Sequence, residues 1–88
     1  MAKTAIINGQ RWRVERRKLR GDYGTCCHFT REIAIESRLS YIEALGTAIH
    51  EALHAVYPDK TEEYICKGEH AIMATLRAAE IITDGDGD

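Results

Sequence analysis

Hydrophobic and polar residues alternate near the start of the chain, as they do in strands with one buried face. In the stretch QRWRVER, Trp12 and Val14 alternate with charged residues. Asn8-Gly9 separates this stretch from TAII, and an Asn-Gly pair between two such runs is a strong signal for a tight hairpin turn. The sequence therefore predicts a two-stranded hairpin at the beginning of the fold.

A third strand is predicted at REIAIES, after a glycine-containing loop at GDYGT. Ile33 and Ile35 alternate with Glu32, Ala34 and Glu36. The polar residues flanking this strand favour an exposed or edge position. An exposed edge could hold an extended peptide as an added strand.

The spacing of apolar residues then changes to three or four, which is typical of helices. Ser40 followed by Glu43 is a capping-box pattern and predicts a helix beginning at Tyr41, while Pro58 ends it. The predicted buried face of this helix consists of Ile42, Leu45, Ile49, Ala52, Leu53 and Val56.

A second helix is predicted to begin near Thr61 or Glu62, after the turn PDK, and to end near Thr83. Its inward face is predicted to carry Ile65, Ile72, Leu76 and Ala79. Strands followed by helices predict an α+β fold, with a small three-stranded antiparallel sheet and a helical hairpin packed on it.

The length of 88 residues predicts one domain, because a chain of this size cannot support two cores. We assign residues 1–83 to this domain and predict that the acidic residues 84–88 are disordered.

Composition is that of an ordinary globular protein, with 44% hydrophobic and 30% charged residues. No apolar run is long enough to span a bilayer, and the first residues lack the features of a signal peptide, so we expect a cytoplasmic protein without a membrane partner. Three cysteines, with Cys26 and Cys27 adjacent, do not resemble a disulfide framework and fit a reducing compartment.

Charge is unevenly distributed, although the net charge is only -2. Most of the basic residues lie before Leu39, where they include the cluster RWRVERRKLR. Such a cluster could bind nucleic acid through phosphate contacts, with Trp12 stacking on a base. We favour the alternative that it forms the solvated face of a strand.

The stretch IHEALHAVYP places two histidines and a glutamate in the first predicted helix. His50 and His54 lie one above the other on a helix, so both can direct a ring nitrogen to one metal ion. Glu51 is rotated about 100 degrees from His50 and could act as a general base on a water at the metal. The alternative is that these residues are solvated charges, but polar groups in an apolar helix need partners. We therefore predict a zinc site, with Gly46 clearing space beside the metal.

A third zinc ligand is expected from the second helix, with one position left for water. In a helical hairpin that turns near Pro58, His54 faces the segment from Glu62 to Tyr64. Glu62 shares the inward stripe of Ile65 and is our choice, with Glu63 as the alternative. Either glutamate could instead simply favour the positive end of the helix dipole.

The remaining candidates are assigned structural roles. Cys66 is expected to be a small buried residue rather than a thiolate ligand. The adjacent Cys26, Cys27 and His28 do not predict a separate metal site, since no second pair follows at zinc-ribbon spacing. We expect His28 on the surface or at the rim of the cleft, and Tyr57 in the core or at the rim rather than at a developing oxyanion.

From about Tyr23 to Ile82, the chain resembles the short HExxH zinc metallopeptidases encoded by phages and prophages. These are minimal zincins, similar to minigluzincins and SprT-like proteins, and the resemblance rests on HEALH and the downstream TEEYI. It implies a small sheet, an active-site helix and one further helix. It also implies zinc bound by His50, His54 and a glutamate of TEEYI, with Glu51 as base. Larger relatives often carry Asp or Asn four residues after the ligand glutamate, where this chain has Cys66 or Lys67.

The sequence thus predicts a zinc-dependent metallopeptidase that acts on a peptide or protein substrate. Two alternatives belong to other classes of protein: a non-catalytic zinc-stabilised module that binds a partner, and a small nucleic-acid-associated protein that uses the basic hairpin. Neither the substrate specificity nor the oligomeric state follows from the sequence.

Overall fold

The computed structural model describes residues 2–83 and has an α+β fold, which confirms the predicted class. The elements are β1 (Lys3–Ile7), β2 (Gln10–Arg17), β3 (Gly24–Cys27), β4 (Glu32–Glu36), α1 (Tyr41–Val56) and α2 (Glu62–Ala78). No helix among residues 2–83 has the length and apolar character needed to cross a membrane. The acidic segment 84–88 lies outside the described residues.

The predicted hairpin is confirmed, because β1 and β2 are antiparallel and joined by Asn8 and Gly9. Both turn residues have positive φ, at 51° for Asn8 and 76° for Gly9. This is the backbone conformation of a two-residue turn whose twist matches that of the flanking strands. Asn8 also donates a hydrogen bond to the carbonyl of Val56 at 2.9 Å, which ties the hairpin to the end of α1.

The sheet differs from the three antiparallel strands that were predicted. It has four strands in the order β1-β2-β4-β3, and β4 runs parallel to β2 and antiparallel to β3. The additional strand, β3, overlaps the predicted GDYGT loop. β3 is only four residues long and has the sequence GTCC, which shows no clear alternation of apolar and polar residues. The sequence pattern therefore did not predict this strand.

The central position of β4 corrects a second prediction. Ile33, Ala34 and Ile35 are 4%, 3% and 6% exposed, and β4 is paired along both sides. An added strand therefore cannot bind at Ile33 to Ile35. The edge strand at this side of the sheet is β3.

The two helices form successive layers on the sheet. α1 packs on β1, β3 and β4, whereas α2 packs on α1. Within residues 2–83, α2 makes no contact with the strands, so the prediction that both helices pack on the sheet is wrong for α2. α1 is therefore covered by the sheet on one side and by α2 on another. The residues of its predicted apolar stripe are only partly buried. The most buried residues of α1 are instead Gly46, Thr47, Glu51 and Ala55.

Both predicted helix starts are confirmed. Ser40 and Glu43 form the reciprocal capping box of α1, and Thr61 caps α2 by accepting a hydrogen bond from the backbone of Tyr64. The predicted end of α2 near Thr83 is wrong, because the helix ends at Ala78 and Glu80 has a positive φ of 61°.

The predicted inward face of α2 is only partly correct. Ile65 is fully buried, but Ile72 and Ala79 are exposed and Met73 is buried in place of Ile72. The inward positions follow Ile65 at steps of four through Glu69 to Met73. Each step of four turns the position by about 40° around the helix, so the buried face shifts from Ile65 towards Met73, whereas Ile72 lies about 20° to the other side of Ile65 and is 38% exposed.

A buried carboxylate joins the loop after β2 to the connection before α1. Glu36 is 5% exposed and accepts hydrogen bonds from the backbone of Leu19 at 2.7 Å and from Arg38 Nε at 2.7 Å. The hydrogen bonds from Arg38 and Leu19 lower the pKa of Glu36 from 4.5 to about 2. Because the folded-state pKa is depressed, ionised Glu36 stabilises the fold above pH 4.5.

We expect this contribution to be lost as the pH falls from 4.5 towards 2. Glu36→Gln should lower the urea midpoint at pH 7, and the difference from the wild type should shrink across that window. The measurement is urea unfolding at a series of pH values, with Glu63→Gln on the surface as control. A difference that stays constant between pH 7 and pH 2.5 would contradict the assigned role of the charge.

Candidate metal centre

His50, His54 and Glu62 come together between the two helices. The histidines lie one turn apart on the side of α1 that faces α2, with ring centroids 4.9 Å apart. Oε2 of Glu62 lies 2.9 Å from Nε2 of His50, and Oε1 lies 2.8 Å from Nε2 of His54. A single carboxylate therefore contacts both imidazoles.

The short connection between the helices fixes this arrangement. α1 ends at Val56 before Pro58, and Thr61 caps the first turn of α2, in which Glu62 lies. Burial disfavours the charge of Glu62, but the hydrogen bond from His54 and the charge of His50 hold its pKa below the ordinary value.

The donor atoms suit a zinc ion in number, type and separation. Two imidazole nitrogens and a carboxylate oxygen lie within 4.8 Å of one another. Zinc takes such ligands at about 2.0 to 2.1 Å in a tetrahedron, which places ligand atoms about 3.3 Å apart. The two contacts of Glu62 with the imidazoles, at 2.9 and 2.8 Å, are a few tenths of an ångström shorter than this separation.

Glu63, the alternative third ligand, points away from this group. Its side chain is 81% exposed and lies 3.8 Å from Nζ of Lys67, one turn along α2. Of the two glutamates in TEEYI, the structure brings Glu62 to the histidines and leaves Glu63 on the surface.

Glu51 faces a different direction from the histidines, as its rotation on the helix predicts. It is 7% exposed and packs against β3, where a Cβ added to Gly24 would lie 3.0 Å from Cγ of Glu51 and 2.7 Å from Thr47. Gly24 thus allows β3 to approach α1 closely. Burial raises the pKa of Glu51, while the nearby charges of His50 and His54 oppose this shift.

An open cleft of about 320 Å³ lies between β3 and the side chains of His50, His54 and Glu62. One side is formed by the edge strand and the other by α1 and Glu62. Its lining residues are Gly24, Thr25, Cys26, His28, His50, Glu51, His54 and Glu62. The two histidines, the carboxylate between them and Glu51 therefore all face one solvent-accessible space.

Glu69 was not predicted as part of the site, but it contacts His50. Its Oε1 lies 2.9 Å from Nδ1 of His50, and its side chain is 23% exposed. A Cβ at Gly46 would meet Oε2 of Glu69 at 3.0 Å, so this glycine leaves room for Glu69 and not directly for His50, His54 or Glu62. The sequence feature that could have identified Glu69 is its spacing from Glu62 and Ile65, which places all three residues on one side of the helix.

None of the three cysteines forms a disulfide, and Cys66 is less buried than the sequence predicted. Cys26 is half-buried, and burial with the charge of Glu51 raises its pKa to about 11, while Cys27 is exposed. Cys66 is half-buried with Sγ 3.7 Å from Oε2 of Glu62. Burial and the charge of Glu62 raise the pKa of Cys66, which favours the thiol.

His28 lies at the rim of the cleft, which is one of the two positions predicted for it, the other being elsewhere on the surface. Its Nε2–H donates to the backbone carbonyl of His54 at 2.8 Å, and its ring packs edge-on against Trp12. The predicted position of Tyr57 in the core or at the rim is wrong, because Tyr57 is exposed and packs against Tyr64 in a separate apolar groove. His70 is exposed on α2.

No known protein family, curated protein or solved structure matches this chain.

Proposed function

We propose that this protein is a zinc-dependent metallopeptidase with a minimal zincin-like architecture, acting in the cytoplasm. The observation that carries the proposal is the contact of the Glu62 carboxylate with Nε2 of both His50 and His54, beside buried Glu51. Two imidazoles and one carboxylate are the ligand set of many zinc peptidases, and such a set leaves one position open.

His50, His54 and Glu62 would hold the ion. When bound, zinc supplies the charge that polarises the scissile carbonyl and increases the acidity of water. Glu51 takes one proton from the attacking water as its oxygen bonds to the carbonyl carbon. Glu51 then passes this proton to the leaving nitrogen as the C–N bond breaks, so the products are an amine and a carboxylic acid, which releases the second proton of the water to solvent when it ionises.

The edge of β3 is the proposed binding position for the substrate. β3 ends the sheet and lines the cleft, so an extended peptide added to it would run past Glu51 and Glu62. Backbone hydrogen bonds would then supply much of the affinity, which suits a small protein with few side-chain pockets. This position replaces the one predicted at Ile33 to Ile35.

Replacing the third ligand tests the proposal. Glu62→Ala should weaken zinc binding and abolish chelator-sensitive cleavage of an unfolded protein, because only two protein ligands remain. Glu63→Ala removes the same kind of side chain from the same helical turn and should leave both properties close to wild type. The measurements are zinc titration against a chromophoric chelator and a gel-based cleavage assay.

The opposite order of effects would transfer the ligand role to Glu63 and contradict the arrangement described above. Equal, wild-type behaviour of both variants would remove the second helix from the zinc site.

A non-catalytic zinc module is the second candidate, and the position of Cys66 favours it. Its Sγ lies 3.7 Å from Glu62, so a deprotonated Cys66 could occupy the coordination position that a peptidase leaves open. The high pKa of this thiol opposes that role in the metal-free protein.

The nucleic-acid hypothesis is weakened by the surroundings of the basic strand. Trp12 is 3% exposed and belongs to the core, so it cannot stack on a base as suggested. Arg13 pairs with Glu15 and Glu32 at 3.3 Å, and Arg17 pairs with Glu15 at 3.1 Å. These carboxylates offset part of the positive charge that would attract phosphates.

A further inference from the structure

We propose that Glu69 is a positioning residue that fixes His50 as a zinc ligand through Nε2, and that Gly46 makes room for it. This inference rests on the proposed zinc site but concerns residues outside the ligand set. It assigns a function to a carboxylate that no motif in the sequence identifies.

Hydrogen bonding at both ring nitrogens determines how His50 can bind a metal. Nδ1 lies 2.9 Å from Oε1 of Glu69, and Nε2 lies 2.9 Å from Oε2 of Glu62. A carboxylate only accepts hydrogen bonds, so Nδ1 must carry the proton that Glu69 accepts. With Nδ1 protonated, Nε2 is the ring nitrogen that can bind zinc. Zinc would take the place of the proton that lies between Nε2 and Glu62 in the metal-free protein.

Burial and packing hold Glu69 in this place. Its side chain is 23% exposed and lies on the inward face of α2, between the buried residues Ile65 and Met73. Glu69 comes seven residues, or about two helical turns, after Glu62. α2 thus presents one carboxylate to each nitrogen of the His50 ring.

Gly46 completes the pocket from the side of α1. It lies one turn before His50, and a Cβ there would be only 3.0 Å from Oε2 of Glu69. The carboxylate is the flexible end of a side chain, so an added methyl group would displace it rather than the helix. Displacement would separate Oε1 from Nδ1 of His50 and remove the constraint on the ring.

A purely structural role for Glu69 makes different predictions. If Glu69 only joined the helices by an ion pair with His50, its loss would lower stability without a specific effect on zinc. The metal-free and zinc-loaded states must therefore be measured separately.

Glu69→Ala is expected to weaken zinc binding about 10- to 100-fold, the usual effect of losing such a partner of a histidine ligand. Glu69→Gln should lose less, because its amide oxygen can still accept the Nδ1 proton. The matched control is Glu63→Gln on the exposed side of the same helix. Affinity is measured by competition with a chromophoric chelator, using variants whose metal-free melting shows that they are folded.

Gly46→Ala provides a test in which stability and zinc affinity move in opposite directions. Alanine is a better helix former than glycine, so the metal-free protein should melt at a higher temperature. Zinc affinity should nevertheless fall, because the methyl group displaces the Glu69 carboxylate. In the Glu69→Ala background the same substitution should no longer change zinc affinity.

The decisive readout is the Nδ1 proton of His50 in zinc-loaded protein labelled with ¹⁵N. We expect a slowly exchanging, low-field signal in the wild type that is lost in Glu69→Ala, together with the drop in affinity. A wild type that binds zinc while Glu69→Ala keeps both the signal and the affinity would overturn the positioning role alone. A wild type that binds no zinc would overturn the proposed function and this inference with it.

Discussion

Glu51→Gln is expected to keep one zinc ion per chain while peptide hydrolysis falls by about two to four orders of magnitude, the usual contribution of a general base. Glutamine preserves the shape of the side chain but cannot accept the proton from water. Zinc should remain, because the three proposed ligands are His50, His54 and Glu62, whereas Glu51 faces β3.

The assay incubates zinc-loaded wild type and Glu51→Gln with unfolded proteins and with the protein itself, and follows cleavage that a chelator abolishes. Glu63→Gln makes the same carboxylate-to-amide change on the surface and serves as the control. Equal cleavage by wild type and Glu51→Gln would eliminate Glu51 as the base. Zinc binding without cleavage of any substrate by the wild type would favour the zinc-stabilised module.

His50→Ala and His54→Ala should each abolish the stabilisation that zinc provides. A ligand at 1,000 times its Kd stabilises the folded state by about 4 kcal/mol. For a domain of this size, that corresponds to a rise in melting temperature of roughly 15 to 30 °C. Each alanine variant should show little or none of this rise, because two remaining ligands hold zinc weakly.

Thermal melting with and without excess zinc measures this effect. His70→Ala is the matched control, since His70 is exposed on α2 and lies outside the ligand group. Retention of the full zinc-induced shift in both His50→Ala and His54→Ala would end their assignment as ligands.

Local features of the sequence predicted much of this structure. The capping residues Ser40 and Glu43 fixed the start of α1, and Asn8-Gly9 fixed the first hairpin, because each depends on hydrogen bonds or backbone angles within a few residues. The spacing of His50 and His54 is local in the same way. These predictions needed no knowledge of the tertiary arrangement.

Non-local features were not accessible from the same patterns. β3 is short and begins with glycine, so only its pairing with β4 defines it as a strand, and that pairing also places β4 at the centre of the sheet. The helical phase of α2 depends on its packing against α1, which buries Met73 rather than Ile72. The contact between Glu69 and His50 depends on this same phase.

The sequence predicted that Gly46 leaves space on α1, but it did not predict which side chain fills that space. Its position one turn before His50 predicted space next to the metal, and the structure places the carboxylate of Glu69 in that space. Sequence spacing alone could locate the small residue on α1. It could not identify which side chain of α2 occupies the volume, because that requires the distance and rotation between the helices.

The zinc content of the purified protein tests the central claim most directly. The protein should be prepared without chelator, analysed for metal, stripped by chelation and titrated with zinc, while its folding is followed by circular dichroism. Our account predicts uptake of one zinc ion per chain, with a gain in thermal stability that chelation reverses. A folded protein that takes up no zinc under these conditions would contradict it.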